Sequence, residues 1–328
     1  GFNIVDDEKA ADFVIFNTCT VRDNANQKVY GHLGIMHHMK KSNKDLKIAL
    51  CGCMMQEPSV IETIKSKYKF VNLVFGTHNI NRLPYILNDA LKTNKQNIEV
   101  LSKEGNIVEN IPVKRANKYK AFVNIMYGCD KFCTYCIVPY TRGKQRSRAK
   151  EDILKEVNNL IKEGYKEVTL LGQNVNSYGK DFDYKYTMED LLLDVSKTNI
   201  DRVRFMTSHP WDFTDKMIEV IKTQKNIMPS IHLPVQSGSS RILKLMGRKY
   251  TREEYMTLFN KLREIDNVTI STDIIVGFPG ETEEDFEETL SLAEECKFDN
   301  AYSFIFSKRE GTPAAKMEDN TSEEEKEE

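Results

Sequence analysis

Three cysteines stand close together in one short segment of the sequence. Cys129, Cys133 and Cys136 form a C-x3-C-x2-C pattern directly after the apolar run 121–126. Thiolates are soft ligands that suit iron–sulfur clusters. Three thiolates on a four-iron cubane leave one iron without a protein ligand, so that a substrate can bind it, much as a catalytic zinc site keeps an open position. The pattern therefore predicts a reactive [4Fe–4S] cluster.

A structural zinc site is the alternative for these cysteines. Such sites usually take four ligands in two close pairs, and no fourth cysteine or histidine follows Cys136 at a suitable spacing. The chain holds seven cysteines in all. An odd number in a long chain favours reduced thiols over a disulfide framework, which keeps these side chains available as ligands.

The segment around the three cysteines alternates strands and helices. Five helical patterns are found at 151–163, 188–197, 214–223, 251–264 and 282–295. Six apolar runs that read as strands flank them, at 121–126, 167–171, 202–206, 230–235, 268–276 and 301–306. This alternation predicts a partial (β/α)6 barrel, in which reactive groups lie at the C-terminal ends of the strands. The cysteines follow the first of these strands.

The first part of the chain predicts a separate α/β domain. Buried strands are expected at 13–16, 48–50 and 73–75, with helices at 23–41, 57–67 and 80–91. Continuous apolar strands separated by helices indicate a parallel sheet covered on both faces, here of flavodoxin-like type. A polar linker is expected at 92–110. The predicted domains are therefore 1–114, which includes the linker, and 115–328.

The composition is that of an ordinary soluble protein. The 328 residues are 40% hydrophobic and 29% charged, with a net charge of −2, and they favour a cytoplasmic protein without a membrane span. Positive charge is concentrated between Val113 and Lys150, where ten basic residues face a single acidic one, Asp130. Such a patch indicates either a phosphate-binding surface or a solvated basic face.

Several motifs resemble those of the methylthiotransferase family, within the radical S-adenosylmethionine (SAM) superfamily. C-x3-C-x2-C after a first barrel strand is the superfamily signature. The segments that match the family are NIMYGC (124–129), IVPYTRG (137–143), LLGQNVN (170–176), HLPVQSGS (232–239) and DIIVGFPGE (273–281). The segment TSHP (207–210) resembles the MiaB branch of the family.

The resemblance implies a function for the strand ends. Cys129, Cys133 and Cys136 would be the catalytic cluster ligands, and SAM would chelate the unique iron. Contacts to SAM are expected at seven polar or small residues that follow barrel strands: Gln173, Asn174, Ser208, Gln236, Ser237, Asp273 and Gly277. Short polar groups and a glycine at this end of a barrel are suited to binding a ligand.

The first domain is expected to hold a second, auxiliary [4Fe–4S] cluster. Cys19 and Cys53 lie in the segments NTC (17–19) and GCMMQ (52–56), which match the second and third ligand motifs of the family. The first ligand belongs to an earlier strand, so we expect a chain truncated at its start. We also expect truncation at the end, before the family's TRAM domain. Cys51 and Cys296 are not at family ligand positions.

The implied reaction is the addition of a methylthio group to C2 of N6-(dimethylallyl)adenosine at position 37 of tRNA, giving ms2i6A, with SAM used twice. Arg142, Lys144, Arg146 and Arg148 follow the cysteine segment and are expected to bind phosphates of the tRNA anticodon stem-loop. The other expectations are an electron donor such as flavodoxin or ferredoxin, a monomeric state and a cytoplasmic location.

Two alternatives to this function remain. A sister methylthiotransferase would act on threonylcarbamoyl-adenosine of tRNA or on an aspartate of a ribosomal protein. From a different class, a non-catalytic RNA-binding module would use the same three cysteines to hold a structural metal. Modified-nucleoside analysis separates the sister enzymes, and cleavage of SAM by the reconstituted protein excludes the module.

Overall fold

A computed structural model of the protein describes residues 3–20, 23–93, 95–101, 105, 107–109, 111, 113–319 and 321–327. The chain divides into two compact units. Unit 1 consists of Gly1–Ile111 together with Ile137–Gly143, and unit 2 consists of Pro112–Cys136 together with Lys144–Glu328. The segment Ile137–Gly143, which follows the cysteines, thus belongs to unit 1. The predicted domain boundary at residue 114 had assigned it to the second domain.

Unit 1 is built on a parallel sheet, as the sequence predicted. Its described strands lie in the order β1-β2-β3-β4. Their bounds are β1 (Phe13–Thr18), β2 (Lys47–Gly52), β3 (Leu73–Phe75) and β4 (Asn97–Glu99). The helices of this unit are α1 (Asp23–Ser42), α2 (Pro58–Lys67), α3 (Leu83–Lys92) and α4 (Val138–Arg142).

Strand β4 corrects the prediction of a linker at 92–110. It pairs with β3 at the edge of the sheet, although two of its three residues are polar and all three are only half-buried. Other residues of the predicted linker lie outside the described part of the chain: Asn94, Ser102, Lys103, Glu104, Asn106 and Asn110. Apolar side chains from both faces of β2 are fully buried, including Ile48, Ala49 and Leu50, as expected for a sheet covered by helices.

Unit 2 contains the six predicted barrel strands. They form two parallel three-stranded sheets, ordered β5-β8-β9 and β10-β11-β12. The strands are β5 (Lys120–Asn124), β8 (Glu167–Leu171), β9 (Arg202–Phe205), β10 (Ser230–His232), β11 (Thr269–Val276) and β12 (Asn300–Ile305). A short antiparallel pair, β6 (Met126–Tyr127) and β7 (Arg146–Ser147), follows β5.

Helices alternate with these strands, which confirms the partial barrel. They are α5 (Lys150–Lys162), α6 (Met188–Ser196), α7 (Asp215–Thr223), α8 (Ser240–Leu245), α9 (Arg252–Arg263), α10 (Glu283–Cys296) and α11 (Glu323–Glu327). Inward side chains from five strands share one apolar core, represented by Val123, Leu170, Phe205, Ile231 and Ile270. No helix in the described ranges is both long and apolar enough to cross a bilayer.

Candidate active site

The three spaced cysteines lie in a loop that leaves β6. Gly128 begins this loop with φ +74°, and Phe132, between the first two cysteines, has φ +49°. Positive φ is the left-handed region that side chains other than glycine rarely adopt. Cys133 is buried, whereas Cys129 and Cys136 are half-buried. Residues 126–136 therefore form a tightly turned segment, here called the cysteine loop.

The middle of the cysteine loop is anchored by three hydrogen bonds from one residue. The backbone N–H of Thr134 donates to Met246 O at 2.9 Å, and its hydroxyl donates to Leu245 O at 2.9 Å. The carbonyl of Thr134 accepts from the N–H of Ala314 at 2.9 Å. The end of α8 and the chain after β12 thus hold the loop by its backbone.

A buried arginine accompanies the cysteines. Arg248 Nη1 lies 3.6 Å from Cys133 Sγ, and the same guanidinium donates to Tyr250 Oη at 2.9 Å and to Pro234 O at 3.0 Å. An arginine is always charged, so this side chain places a positive charge beside the Cys133 sulfur. Burial raises the pKa of the Cys129 thiol to about 11, although the backbone N–H of Lys131 acts in the opposite direction.

The donor set of the cysteine loop fits a cubane cluster. Among the described residues, no three His, Cys, Asp or Glu side chains are grouped as a single metal ion requires. In a cubane each cysteine binds a different iron, so its three thiolates need not converge on one point. The three thiolates of the loop are thus compatible with a cubane cluster.

Three buried polar atoms at the neighbouring strand ends lack a hydrogen-bond partner among the residues that the structure describes. They are Gln173 Oε1, Asn174 Oδ1 and Ser208 Oγ. The first two follow β8 and the third follows β9, and β5, β8 and β9 are parallel neighbours. Their C-terminal ends therefore meet at one edge with the cysteine loop. Buried polar groups are nearly always satisfied, so these atoms indicate a site for a polar ligand.

A buried carboxylate connects the cysteine loop to these strand ends. The side chain of Asp212 is wholly buried, and its Oδ2 accepts from Lys131 Nζ at 2.6 Å and from Asn174 Nδ2 at 2.6 Å. Lys180 Nζ contacts the other oxygen. Burial alone would raise the pKa of Asp212, but the hydrogen bonds from Lys131, Lys180 and Asn174 outweigh it and lower the pKa.

His209 lies in the same region, and its imidazole ring is neutral. Its backbone N–H donates to Asn176 Oδ1 at 3.2 Å, and its Nδ1 accepts from the N–H of Trp211 at 3.2 Å. Burial, followed by the charge of Arg248, holds the pKa of His209 far below its ordinary value. The ring therefore carries no positive charge at neutral pH.

The remaining predicted SAM contacts differ in their surroundings. Gln236 is buried with φ +73°, a strained backbone for a non-glycine residue. Asp273 Oδ2 lies 3.3 Å from His232 Nε2 and is part-exposed. Gly277 has φ +66°, and its N–H donates to Glu281 Oε2 at 2.6 Å. Burial raises the pKa of Glu281, and its other oxygen has no partner in the protein.

Ser237 does not fit the predicted contact to a ligand through its hydroxyl. The residue is fully buried, its Oγ lies 3.3 Å from Thr289 Oγ1, and that same Oγ accepts from the N–H of Ser239 at 3.1 Å. Both partners belong to the protein. The hydroxyl therefore stabilises the loop after β10, and the prediction is corrected on this point.

The four basic residues predicted to bind RNA separate into different environments. Lys144 is exposed and Arg146 is half-buried. Arg148 is buried, and its Nη1 pairs with Glu156 Oε2 at 2.8 Å and donates to Asn124 O. Its guanidinium is thus occupied inside unit 2, and an RNA contact through Arg148 is not supported. Arg142 donates from Nε to Cys53 Sγ at 3.1 Å, within unit 1.

Cys19 and Cys53 come together at one edge of the sheet of unit 1. They follow β1 and β2, which are parallel neighbours with Thr18 opposite Gly52. Gly52 has φ +99°, and a Cβ there would lie 2.2 Å from Thr18 O, so only glycine fits. Cys53 is buried and Cys19 is exposed.

Burial and two neighbouring residues, Arg142 and Cys19, change the pKa of the Cys53 thiol. Burial raises its pKa, the charge and hydrogen bond of Arg142 lower it, and Cys19 raises it further as a neighbouring thiol. The two cysteines follow the adjacent ends of β1 and β2. Two adjacent cysteines with a cation on one sulfur form a donor set that fits an iron–sulfur cluster completed by a further ligand.

The other two cysteines are core residues, as their sequence positions indicated. Cys51 is buried among Ala49, Leu73 and Phe75, and burial raises its pKa to about 11. Cys296 is buried on α10 with its Sγ 3.4 Å from Met256 Sδ. Neither is grouped with the other cysteines. The residue that sequence reasoning missed is Arg248, which lies far along the chain from the cysteine loop and carries no local signal.

Comparisons with known proteins match both units. Residues 123–293 match the family model of the Radical SAM superfamily, and residues 1–76 match Uncharacterized protein family UPF0004. The first match covers more than half of the chain. Cys19, Cys53 and the whole cysteine loop lie inside these ranges.

Curated relatives are similar over nearly the whole chain. A tRNA-2-methylthio-N(6)-dimethylallyladenosine synthase of Staphylococcus haemolyticus is 58% identical over 325 residues, which are 98% of this chain and 63% of the relative. A protein of the same name from Geobacillus kaustophilus is 58% identical over 322 residues, covering 98% of this chain and 61% of the relative. The chain therefore spans somewhat less than two thirds of these proteins.

Solved structures share the fold. The radical S-adenosylmethionine methyltransferase TsrM of Kitasatospora setae, with cobalamin and a [4Fe-4S] cluster bound, has a TM-score of 0.68 at 14% identity, covering 92% of this chain and 65% of that one. The cobalamin-dependent enzyme OxsB has a TM-score of 0.58 at 14% identity, covering 86% and 43%. At this identity the similarity concerns the arrangement of the backbone.

Proposed function

Because this chain belongs to the radical SAM superfamily, we propose that it is the cluster- and SAM-binding part of a tRNA methylthiotransferase. The whole protein adds a methylthio group to C2 of N6-(dimethylallyl)adenosine at position 37 of tRNA. The observation that carries this proposal is the 58% identity over 98% of the chain to relatives named for that product. The cysteine loop and the unsatisfied polar atoms beside it supply the site.

The residues of unit 2 would hold the catalytic cofactors. Cys129, Cys133 and Cys136 would bind the [4Fe–4S] cluster. When bound, that cluster supplies the electron for reductive cleavage of SAM. The cofactors, rather than protein side chains, carry out this bond cleavage. The ammonium group of SAM is a hydrogen-bond donor, which matches the two amide oxygens of Gln173 and Asn174 that lack partners.

The protein's own groups keep this site in place. Asp212 fixes Lys131 of the cysteine loop and Asn174 of the strand end in one network, so that the loop and the polar atoms keep their relative positions. Arg248 maintains a positive charge beside Cys133. His209 stays neutral, because its pKa is far below the physiological range, and it therefore takes no part as an acid.

The auxiliary cluster is part of the same proposal. Cys19 and Cys53 would hold a second [4Fe–4S] cluster, together with a third thiolate from elsewhere in the whole protein. Lys144 and Arg146 are the remaining candidates for contacts to tRNA phosphates, which position an RNA without reading its bases. The target adenosine must be unstacked to enter the site. A flavodoxin or ferredoxin as electron donor, a monomeric state and a cytoplasmic location complete the proposal.

Nucleoside analysis of tRNA from a strain that lacks the gene tests the function. We expect loss of the 2-methylthio derivative and accumulation of N6-(dimethylallyl)adenosine. The intact gene restores the product, the Cys133→Ala variant does not, and Cys296→Ala, a change in the core, serves as the control that does. Persistence of the product in the deletion strain would contradict the proposal.

Other outcomes identify the alternatives. Loss of 2-methylthio-threonylcarbamoyl-adenosine instead of the expected nucleoside indicates a sister enzyme with a different tRNA substrate. A reconstituted protein that binds RNA but leaves SAM intact under strong reductant indicates the non-catalytic module.

A further inference from the structure

Arg142 contacts the sulfur of a buried cysteine. Its Nε donates to Cys53 Sγ at 3.1 Å. The residue ends α4, and α4 belongs to unit 1, where Thr77 Oγ1 also donates to Thr141 O at 3.4 Å. Cys53 is only 3% exposed, whereas Arg142 is half-buried. The contact is thus a part-buried cation–sulfur pair inside one compact unit.

The chemistry of this pair favours a metal-bound thiolate. A guanidinium is always protonated and only donates hydrogen bonds. A neutral thiol is a weak acceptor, whereas a thiolate is an anion and accepts strongly from a charged donor. A Cys53 sulfur that binds a metal as a thiolate would therefore accept a stronger hydrogen bond from Arg142 than a neutral thiol does.

Resting on the proposed function, we propose that Arg142 is a positioning residue of the auxiliary cluster. Its guanidinium fixes the orientation of the Cys53 sulfur and supplies positive charge next to the ligand. Hydrogen bonds to cluster sulfurs and nearby charge raise the reduction potential of iron–sulfur clusters and retain their iron. The sequence pattern predicted that Arg142 binds phosphate, whereas its contact with Cys53 assigns it to the proposed metal site.

The test uses the full-length protein, reconstituted anaerobically with iron and sulfide. Cys129, Cys133 and Cys136 are replaced by alanine, so that spectra report only the auxiliary cluster. In this background, Arg142→Gln is expected to lower the midpoint potential of the cluster and to accelerate iron loss to a chelator by about 10-fold. Electron paramagnetic resonance during a redox titration measures the first effect, and chelator absorbance measures the second.

Two further variants sharpen the test. Arg142→Lys keeps the charge but loses the planar donor group. Its midpoint potential and its rate of iron loss are expected to lie between those of the parent and of Arg142→Gln. Arg82→Gln is the matched control, because Arg82 pairs with the carboxylate of Glu99 in the same unit, and it is expected to change neither property. If Arg142→Gln does not fold, the Arg142→Lys variant decides the question.

Three results overturn the proposal. Parent-like potential and iron loss in the Arg142 variants show that the contact does not serve the cluster. Equal effects of Arg82→Gln and Arg142→Gln show a general effect of charge or stability. A background protein that binds no iron shows that the proposed auxiliary cluster is itself wrong, which is a distinct result because it appears before any change at Arg142.

Discussion

Asp212 is the residue on which the polar contacts of the strand ends converge. Its carboxylate is inaccessible to solvent and receives hydrogen bonds from two lysines and an asparagine. Lys131 comes from the cysteine loop and Asn174 from the end of β8, so one side chain stabilises two parts of the site. A buried anion of this kind is tolerated only because it is paired.

Asp212→Asn is expected to lower the free energy of unfolding by about 3 kcal/mol at neutral pH, because Lys131 and Lys180 lose their anion. The pKa of Asp212 is lower in the folded state than its ordinary value of 3.8. Its stabilisation is therefore complete above that value and disappears as the pH falls through the folded pKa. Urea unfolding midpoints at several pH values measure the difference, which is expected to shrink below about pH 4.

The control for this change is an exposed ion pair. Asp201 pairs with Lys166 at 3.3 Å, and both side chains are more than half exposed. Asp201→Asn is expected to change the free energy of unfolding by less than about 1 kcal/mol. Equal losses in the two variants, or a loss at Asp212 that persists at low pH, would show that the buried network contributes nothing specific.

For single residues, the sequence predicted which side chains could bind a metal better than it predicted which side chains are buried. The spacing of Cys129, Cys133 and Cys136 indicates their chemistry directly, because a short loop must bring them near one another. Charge pattern cannot separate an exposed lysine such as Lys144 from a buried arginine such as Arg148, since burial depends on partners distant in the chain. Arg248 was missed for the same reason.

The first turn of α10 fixes the loop that carries Gln236 and Ser237. Asp285 accepts from the N–H of Thr282 at 2.9 Å and from its hydroxyl at 2.8 Å, which forms a capping box. The same carboxylate accepts from Ser239 Oγ at 2.6 Å. A Cβ at Gly238 would lie 2.4 Å from Glu288 O, so this loop packs directly against the helix.

Thr282→Ala removes the cap and is expected to lower the free energy of unfolding by about 1 kcal/mol. Thr257→Ala, at an exposed position within α9, is the control and is expected to change it by less than about 0.5 kcal/mol. Chemical denaturation followed by circular dichroism compares the two variants. If the cap does not stabilise α10, the two variants will unfold at the same denaturant concentration.

Long elements were predicted from the sequence and short or polar ones were not. The barrel strands and the five long helices between them are found within a few residues of their predicted bounds, because an apolar run or a helical period extends over several residues. The five- and six-residue helices α4 and α8 are too short to show a period. Strand β4 has a single apolar residue between two polar ones, and it lies at a sheet edge, where burial is incomplete.

The whole chain combines two units, each with its own apolar core. Each unit presents cysteines directly after strands: after the parallel strands β1 and β2 in unit 1, and after the short strand β6 in unit 2. The proposal of two clusters therefore assigns one to each unit. The sequence predicted this division but could not show that 137–143 belongs to unit 1, since chain order does not determine packing.

Iron analysis of the full-length protein tests this arrangement. Replacing Cys129, Cys133 and Cys136 by alanine is expected to remove about half of the iron and sulfide per chain, and replacing Cys19 and Cys53 is expected to remove the other half. Cys296→Ala is the control and is expected to retain all of it. Complete loss in either variant would mean that the two clusters are not independent.

The three hydrogen bonds at Thr134 have a consequence for the entropy of ligand binding. They hold the cysteine loop through backbone atoms of Leu245, Met246 and Ala314, all of which are protein groups distant in sequence from the cysteines. A loop anchored in this way loses less conformational freedom when a ligand binds its thiolates than an unanchored segment of the same length would. Free energy of binding at the cysteines is therefore not consumed in ordering the middle of the loop.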